Sequence, residues 1–595
     1  MAQGSKSDKD FEQTDGPAPG HEVGRLKRLE RATALHANNF IIRRIENLKE
    51  VRRTAIFWVI CAAALIIIGA IQVNLSRPLY SHVGQREGGS YVEGMVGEVA
   101  TLNPILVTSA AERSVSRLLF ASLLSVDEEG EYVGQLARSW SLDDTGKVYT
   151  VDLKPNLKWS DGVALTSRDV VFTVQTIQNP AVRSPYASAW REVIIEAVDD
   201  DTLTIKLPSE YAPFLGSLTV GILPQHLLAS VSADRLRNAS FNERPLVGSG
   251  PFDFRSLSAG RSQNSQQDIT LTASDTYLGG KPKVERFIMR LYEDSDQLTN
   301  ALRDREIMAA TDIPHNQLDV FKDDKSLRIS NLKPFSAVYA FFKQSAPPLD
   351  DAKVRKALLM ALDRPNLVSK LQGVELIEGP LLPGQLGYDP NARQAGYDPA
   401  KAAALLDEAG WKLSGNVRKK DGQPLHINLV GINSGDYNQV LDSLHAAWSR
   451  LGVEVKSNLE TREGFQANVI SPHSYDVLVY ELSLGRDSDT FAYWHSSQAE
   501  PGRLNLAEYR SPLADEALNS GRIRGDQALR AIKYKAFANT WLADTPAIAL
   551  YRPNVAYVSL AKTKSVTDRE VGDITERLSN VVYWSAEAGW LDNTR

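Results

Sequence analysis

Apolar and polar positions change period several times between Leu118 and Ile177, and each change marks an element. Val115, Leu118, Leu119 and Leu123 recur at helical spacing on one face. Val148–Leu153 alternates, with Tyr149, Val151 and Leu153 on the more apolar side of a strand. Asp143–Gly146 separates that strand from Trp140–Leu142 as a hairpin turn, and Ser160–Gly162 reads as a second turn. Thr166 and Asp169 have capping-box spacing, which opens a helix carrying Val170, Val174 and Ile177 on one side.

The later chain continues in the same manner. Val193–Leu207 predicts two strands around the acidic turn Asp199–Asp201, Phe287–Leu291 a strand and Ser295–Asp304 a helix. Ala337–Phe342 predicts a strand, and Val354, Leu358 and Ala361 the inner face of the helix that follows. Asp398 before Pro399 predicts an N-cap with proline in the first turn. Ala404, Leu405 and Ala409 are expected to face inward, and Gly410 to stop the helix. Leu425–Gly431, Tyr437–Leu451 and Val453–Asn458 read as strand, helix and strand, a crossover that demands a parallel pair. Tyr475–Tyr480 is a further strand, and Glu516–Trp541 is helical with a break at Gly521 or Gly525.

One apolar run differs from all the others. No charge occurs between Arg53 and Arg77, and Thr54–Val73 is long enough for a bilayer, which needs ~20 residues. Arg43, Arg44, Lys49, Arg52 and Arg53 precede it, so the positive-inside rule puts the N-terminus in the cytoplasm and the main body outside. The long polar lead argues against a cleaved signal peptide. Residues 1–53 are expected as a tail, disordered and then helical. Residues 54–74 are expected as a single transmembrane helix and 75–89 as a linker.

Composition narrows the function. The net charge is −6 with no basic block beyond the N-terminal region, so nucleic acid is not expected as a partner. Cys61 is the only cysteine, which excludes an intramolecular disulfide. None of the nine histidines has metal-site spacing, and no metal or cofactor is expected. Asp294–Asp296 and Asp487–Asp489 lack the remaining ligands of an EF-hand loop. Leu246–Phe252 (Leu-Val-Gly-Ser-Gly-Pro-Phe) is neither a nucleophile elbow nor a phosphate loop, and nothing marks an enzyme.

Several blocks appear in an order that resembles the family 5 solute-binding proteins of ABC transporters, the peptide- and oligopeptide-binding group. They are Leu102-Asn-Pro104, Leu136-Ala-Arg-Ser-Trp140, Trp159-Ser-Asp-Gly162, the Leu246–Phe252 stretch and Tyr277-Leu-Gly-Gly-Lys-Pro282. Val354-Arg-Lys-Ala-Leu358, Tyr397-Asp-Pro399 and Pro546–Pro553 follow. The resemblance implies an α/β periplasmic-binding-protein-like fold: a two-lobed clamp of class II type, with discontinuous lobes and an additional domain. Lobe I would take about 90–128, 245–340 and 555–590, the additional domain about 129–244, and lobe II about 341–554. It also implies capture of a peptide or other small solute for an ABC permease and its ATPase subunits. The alternative is a sensory or structural protein with a degenerate pocket. Many relatives are lipoproteins with a cysteine just after the apolar stretch; Cys61 sits inside it, which favours a retained anchor.

A cleft between lobes needs aromatic faces and a few convergent polar groups. The best candidate is Tyr480–Trp494, a loop expected after a strand, with Tyr480, Glu481, Arg486, Asp487, Asp489 and Trp494 as ligand-binding residues. Asn103, Tyr186, Trp190, Phe341 and Gln344 are further candidates, while Trp140 and Trp159 are expected in the core. The resemblance puts Leu484 where peptide-binding relatives carry the aspartate that holds the peptide amino group. Arg486 suits a carboxylate or phosphate ligand, or an ion pair with Asp487 or Asp489.

Overall fold

The computed structural model describes residues 56–69, 71–72, 81–85, 88–259, 265–523, 525–586 and 588–592. The chain divides into two units, and the larger is Gly84–Gly589. In the smaller unit, residues 56–69 and 71–72 are helical. Their large apolar side chains are exposed, Ile66 at 72% and Val59 at 69%. Among the described residues no helix is long and apolar enough to cross a membrane. The expected tail, 1–53, lies outside the described residues, as do positions 54, 55, 70, 73 and 74 of the expected span. The expected linker contains the strand Ser81–Gln85.

The larger unit is built on two sheets. The first has eight strands, in the order Arg569–Val571, Leu327–Pro334, Val555–Leu560, Ala309–Ile313, Ser90–Val96, Arg286–Tyr292, Ser265–Ala273 and Phe252–Ala259. The second has six: Val374–Leu376, Ala547–Pro553, Ser336–Phe342, Val477–Ser483, His426–Ile432 and Glu454–Glu460. The expected crossover is present, with His426–Ile432 and Glu454–Glu460 paired in parallel around the helix Gly435–Arg450. Each sheet is covered on both faces, so four apolar clusters form rather than one.

The chain passes between the sheets twice, at Phe335 and at Asn554. The strand Ser336–Phe342 belongs to the six-stranded sheet, so the passage comes before the boundary expected at residue 340. Both lobes hold Phe335: its N–H donates to Val571 O at 3.1 Å, and its carbonyl accepts from the Leu484 N–H at 2.7 Å. Two single-residue crossings are the geometry of a hinge.

The stretch expected as the additional domain carries a four-stranded antiparallel sheet, Ala137–Leu142, Val148–Leu153, Thr202–Lys206 and Ile194–Ala197. The hairpin turn at Asp143–Gly146 and the capping box at Thr166 lie where the pattern places them. Trp159 is fully buried, but Trp140 only packs against the core from its edge. The glycines of Leu246–Phe252 cross the end of the helix Ala110–Leu119. The N–H groups of Ser249 and Gly250 both donate to Leu119 O, at 3.0 and 2.8 Å.

One helical face is shifted by a residue. In the helix Pro399–Glu408 the buried positions are Ala402 and Leu406, with Ala409 just beyond it, while Ala404 is exposed and Leu405 half-buried. Asp398 caps this helix through the Lys401 N–H, and its packing against Ala352–Met360 sets the phase.

Candidate functional site

A cavity of about 310 Å3 lies where the lobes and the additional domain meet. The helix Ala110–Leu119 contributes Arg113 and Arg117, four residues apart and so on one face. The other face of that helix buries Val115, Leu118 and Leu119 in the core. Tyr132, Tyr186 and Val220 come from the additional domain and Arg486 from the second lobe. Asp573, Thr575 and Glu576 come from the C-terminal segment, with Glu576 on the short 3-10 helix Ile574–Leu578.

A buried pair places that short helix. Arg577 and Glu93 are fully buried, 2.6 Å apart. Glu93 also accepts from Thr311 Oγ1 at 2.8 Å and Tyr557 OH at 3.1 Å, and Arg577 donates to Ser114 Oγ at 3.0 Å. Strand Ser90–Val96, helix Ala110–Leu119 and the Ile574–Leu578 turn are thereby fixed to one another. Asp573 and Glu576 then face Arg113 and Arg486, with ion pairs of 3.0 and 2.6 Å.

Electrostatics follow from that arrangement. Burial alone would raise the Asp573 carboxyl, but Arg113 and the Thr575 amide outweigh it and hold it below the usual carboxylate range. Burial lowers the Arg117 guanidinium, and Glu576 and Asp573 oppose that only in part. Tyr132 is pushed up to about 12 by burial and then by Asp487 and Glu576, so it stays a neutral phenol.

Of the residues singled out from sequence, Tyr186 and Arg486 line this cavity. Arg486 pairs with Glu576 rather than Asp487 or Asp489, and its guanidinium lies 5.2 Å from the Phe335 ring centroid. Asp487 pairs with Arg530 at 2.6 Å and Asp489 with Arg522 at 2.9 Å, which commits both to partners within the second lobe. Glu481 lies instead in a separate cavity of about 580 Å3 with His315, Asp436 and Tyr551, and burial raises its carboxyl. Tyr480 stacks on Phe465 with ring centroids 5.7 Å apart.

The remaining candidates belong to the scaffold. Phe341 and Trp494 are fully buried and in ring contact, 5.6 Å apart, on one face of the six-stranded sheet. Trp190 packs edge-on against Phe214. Asn103 is buried, donates to Asn242 Oδ1 at 2.9 Å and accepts from the Ile105 N–H, which closes the Asn-Pro turn. The Gln344 N–H bonds to Ala507 O at 2.9 Å, and its side chain lines no cavity described here. Among the described residues, no group of three or more His, Cys, Asp or Glu side chains is arranged to hold a metal.

Comparison with known proteins fits this architecture. The family model for bacterial extracellular solute-binding proteins, family 5 (Middle), matches residues 131–502. The chain belongs to family 5 of the bacterial extracellular solute-binding proteins. Oligopeptide-binding protein AppA of Bacillus subtilis is 27% identical over 514 residues, which is 84% of this chain and 91% of that one. A putative ABC transporter peptide-binding protein of Brucella ovis is 29% identical over 517 residues, again 84% and 91%. The solved structure of Bacillus subtilis AppA with a nonapeptide superposes with a TM-score of 0.66 and 25% identity, covering 84% of this chain and 99% of that one. NikZ of Campylobacter jejuni, solved with Ni(L-His), gives 0.67 and 26%, covering 83% and 99%.

Pattern reading of this family 5 protein missed Arg113, Arg117, Tyr132, Asp573 and Glu576. A signal was present for the first two. Two arginines four residues apart lie on the polar side of a helix whose other side is core, and that spacing concentrates positive charge on one face. No local signal existed for Asp573 and Glu576, because their partners, Arg113 and Arg486, lie in two distant stretches of chain.

Proposed function

We propose that this protein captures a peptide or a related small solute between its two lobes and delivers it to an ABC permease and its ATPase subunits. The carrying observation is a cavity whose lining comes from both lobes, on the side where Arg486 meets Glu576. Its size is at the small end of the roughly 300–1,000 Å3 of ligand pockets. That favours a short peptide or single small molecule over a long chain. The peptide-binding relatives support the ligand class, and the name of the Brucella protein supports the transporter. Ligand that touches both lobes stabilises the closed form by population shift, with no bond made or broken.

The exposed apolar helix near the N-terminus supports a membrane anchor, with the large unit outside the cytoplasm. Thermal shift of the protein against a panel of short peptides, amino acids and sugars tests the capture. A hit at saturating ligand raises Tm by linkage, and silence across the panel counts against the reading. Carbonate extraction of cell membranes tests the anchor, since recovery in the supernatant would exclude it.

A further inference from the structure

The geometry points to Arg117 as the anchor for an anionic group, foremost a carboxylate, on the captured solute. This rests on the cleft being the solute site, as proposed above, and adds the chemical class that the cleft selects.

Three guanidinium groups and two carboxylates line the cavity, an excess of one positive charge. Both carboxylates are already engaged. Asp573 pairs with Arg113 at 3.0 Å, and Glu576 pairs with Arg486 at 2.6 Å. Glu576 also accepts the Gly572 N–H at 2.8 Å, and Asp573 accepts the Thr575 N–H at 2.8 Å. Each acid is already charge-compensated, so a ligand ammonium would share its carboxylate with a guanidinium. Among the described residues, the polar partner of Arg117 is Ser125 Oγ, at 3.1 Å from Nη2. Arg117 is half-buried, and a neutral hydroxyl does not neutralise its charge.

The neighbours keep that charge in place. Arg117 stands on the last turn of a helix whose opposite face is buried, which fixes its backbone at the cavity wall. Asp573 and Glu576 attract it across the cavity, but each is already paired, with Arg113 and Arg486. Apolar walls from Val107, Phe120 and Val126 lower the local dielectric and strengthen the attraction. A guanidinium fork matches a carboxylate in two parallel hydrogen bonds, which a neutral amide cannot reproduce.

The test uses the full chain and two matched probe sets. One holds di- and trialanine, glutamyl dipeptides and glutarate as free acids; the other holds the same compounds with every carboxylate amidated. Binding is read by thermal shift and calorimetry on wild type, Arg117→Gln and Arg117→Lys, with the unliganded Tm of each variant as the folding control. The expected result is binding from the free-acid set alone, weakened at least about 10-fold in Arg117→Gln and less in Arg117→Lys. Equal binding of both sets, or unchanged affinity in a folded Arg117→Gln, overturns the assignment and leaves solute capture standing. No binding of either set to wild type overturns solute capture for these classes, and the assignment with it.

Discussion

Arg486 of the second lobe donates to the Glu576 carboxylate of the first lobe at 2.6 Å, and both side chains are largely buried. The same guanidinium lies against the ring of Phe335, one of the two hinge crossings. The pair therefore joins the two sheets' halves of the protein close to a chain crossing between them. A second contact across the lobes has the same character, with Arg522 lying 5.1 Å from the Tyr211 ring centroid of the additional domain.

Arg486→Met removes one partner and leaves Glu576 partly buried without its cation. The unliganded protein is expected to populate a more open form, and ligand affinity to fall by about 1–3 kcal/mol. Small-angle scattering with and without ligand reads the first effect and calorimetry the second. Identical scattering and affinity in the variant would show that the pair does not hold the lobes.

Arg577→Met strands the Glu93 carboxylate in a site with no exposure. Loss of one member of such a pair costs about 3–5 kcal/mol. The urea midpoint at pH 7 should drop accordingly. A drop below about 1 kcal/mol would contradict the placement of this pair.

Glu112 accepts N–H groups of Ala100, Thr101, Thr108 and Ser109. Burial opposes its ionisation, but these amides outweigh it and hold the carboxyl below its usual range. Its folded pKa is below the unfolded value, so its contribution is present above the unfolded pKa and is lost as pH falls through the folded one. Glu112→Gln should lower stability at pH 7 and shallow the acid limb of stability against pH. Parallel wild-type and variant curves would rule this out.

Trp494→Ala empties the centre of a cluster with Tyr339, Phe341 and Trp541. A stability loss of about 3–5 kcal/mol is expected, measured by chemical denaturation. Tyr186→Ala, at the cavity wall, should instead weaken ligand binding with a smaller loss of stability. The reverse ranking would place Trp494 in the cleft.

Gly250→Ala sets a methyl group against the backbone of Leu118, Leu119 and Phe120, which cannot yield as a flexible side chain would. About 1–3 kcal/mol of destabilisation is expected, read as a lower Tm. An unchanged Tm would mean that this crossing is looser than described.

Periodicity located most elements because each depends on which residues of one short segment meet water and which meet the core. The hairpin at Asp143–Gly146, the capping box at Thr166 and the parallel crossover around Gly435–Arg450 are such cases. The misplacement at Ala404 and Leu405 has a tertiary cause, since the pattern admits neighbouring phases and the packing partner chooses between them.

The candidate loop Tyr480–Trp494 shows the limit most clearly. Its residue types suited a ligand site, and only Arg486 of the six chosen there lines the cavity. Asp487 and Asp489 are taken by Arg530 and Arg522, which approach from a separate helical stretch, and Trp494 turns into the core. The order of motifs along the chain carried the resemblance to family 5 and, through it, the two-lobed expectation, and the uncharged apolar run at 54–73 was legible directly. Which charges face one another emerged with the assembled fold. Ion pairing depends on distances between side chains far apart in the chain, and the partners of Arg113, Arg486 and Glu93 meet them only once both sheets are assembled.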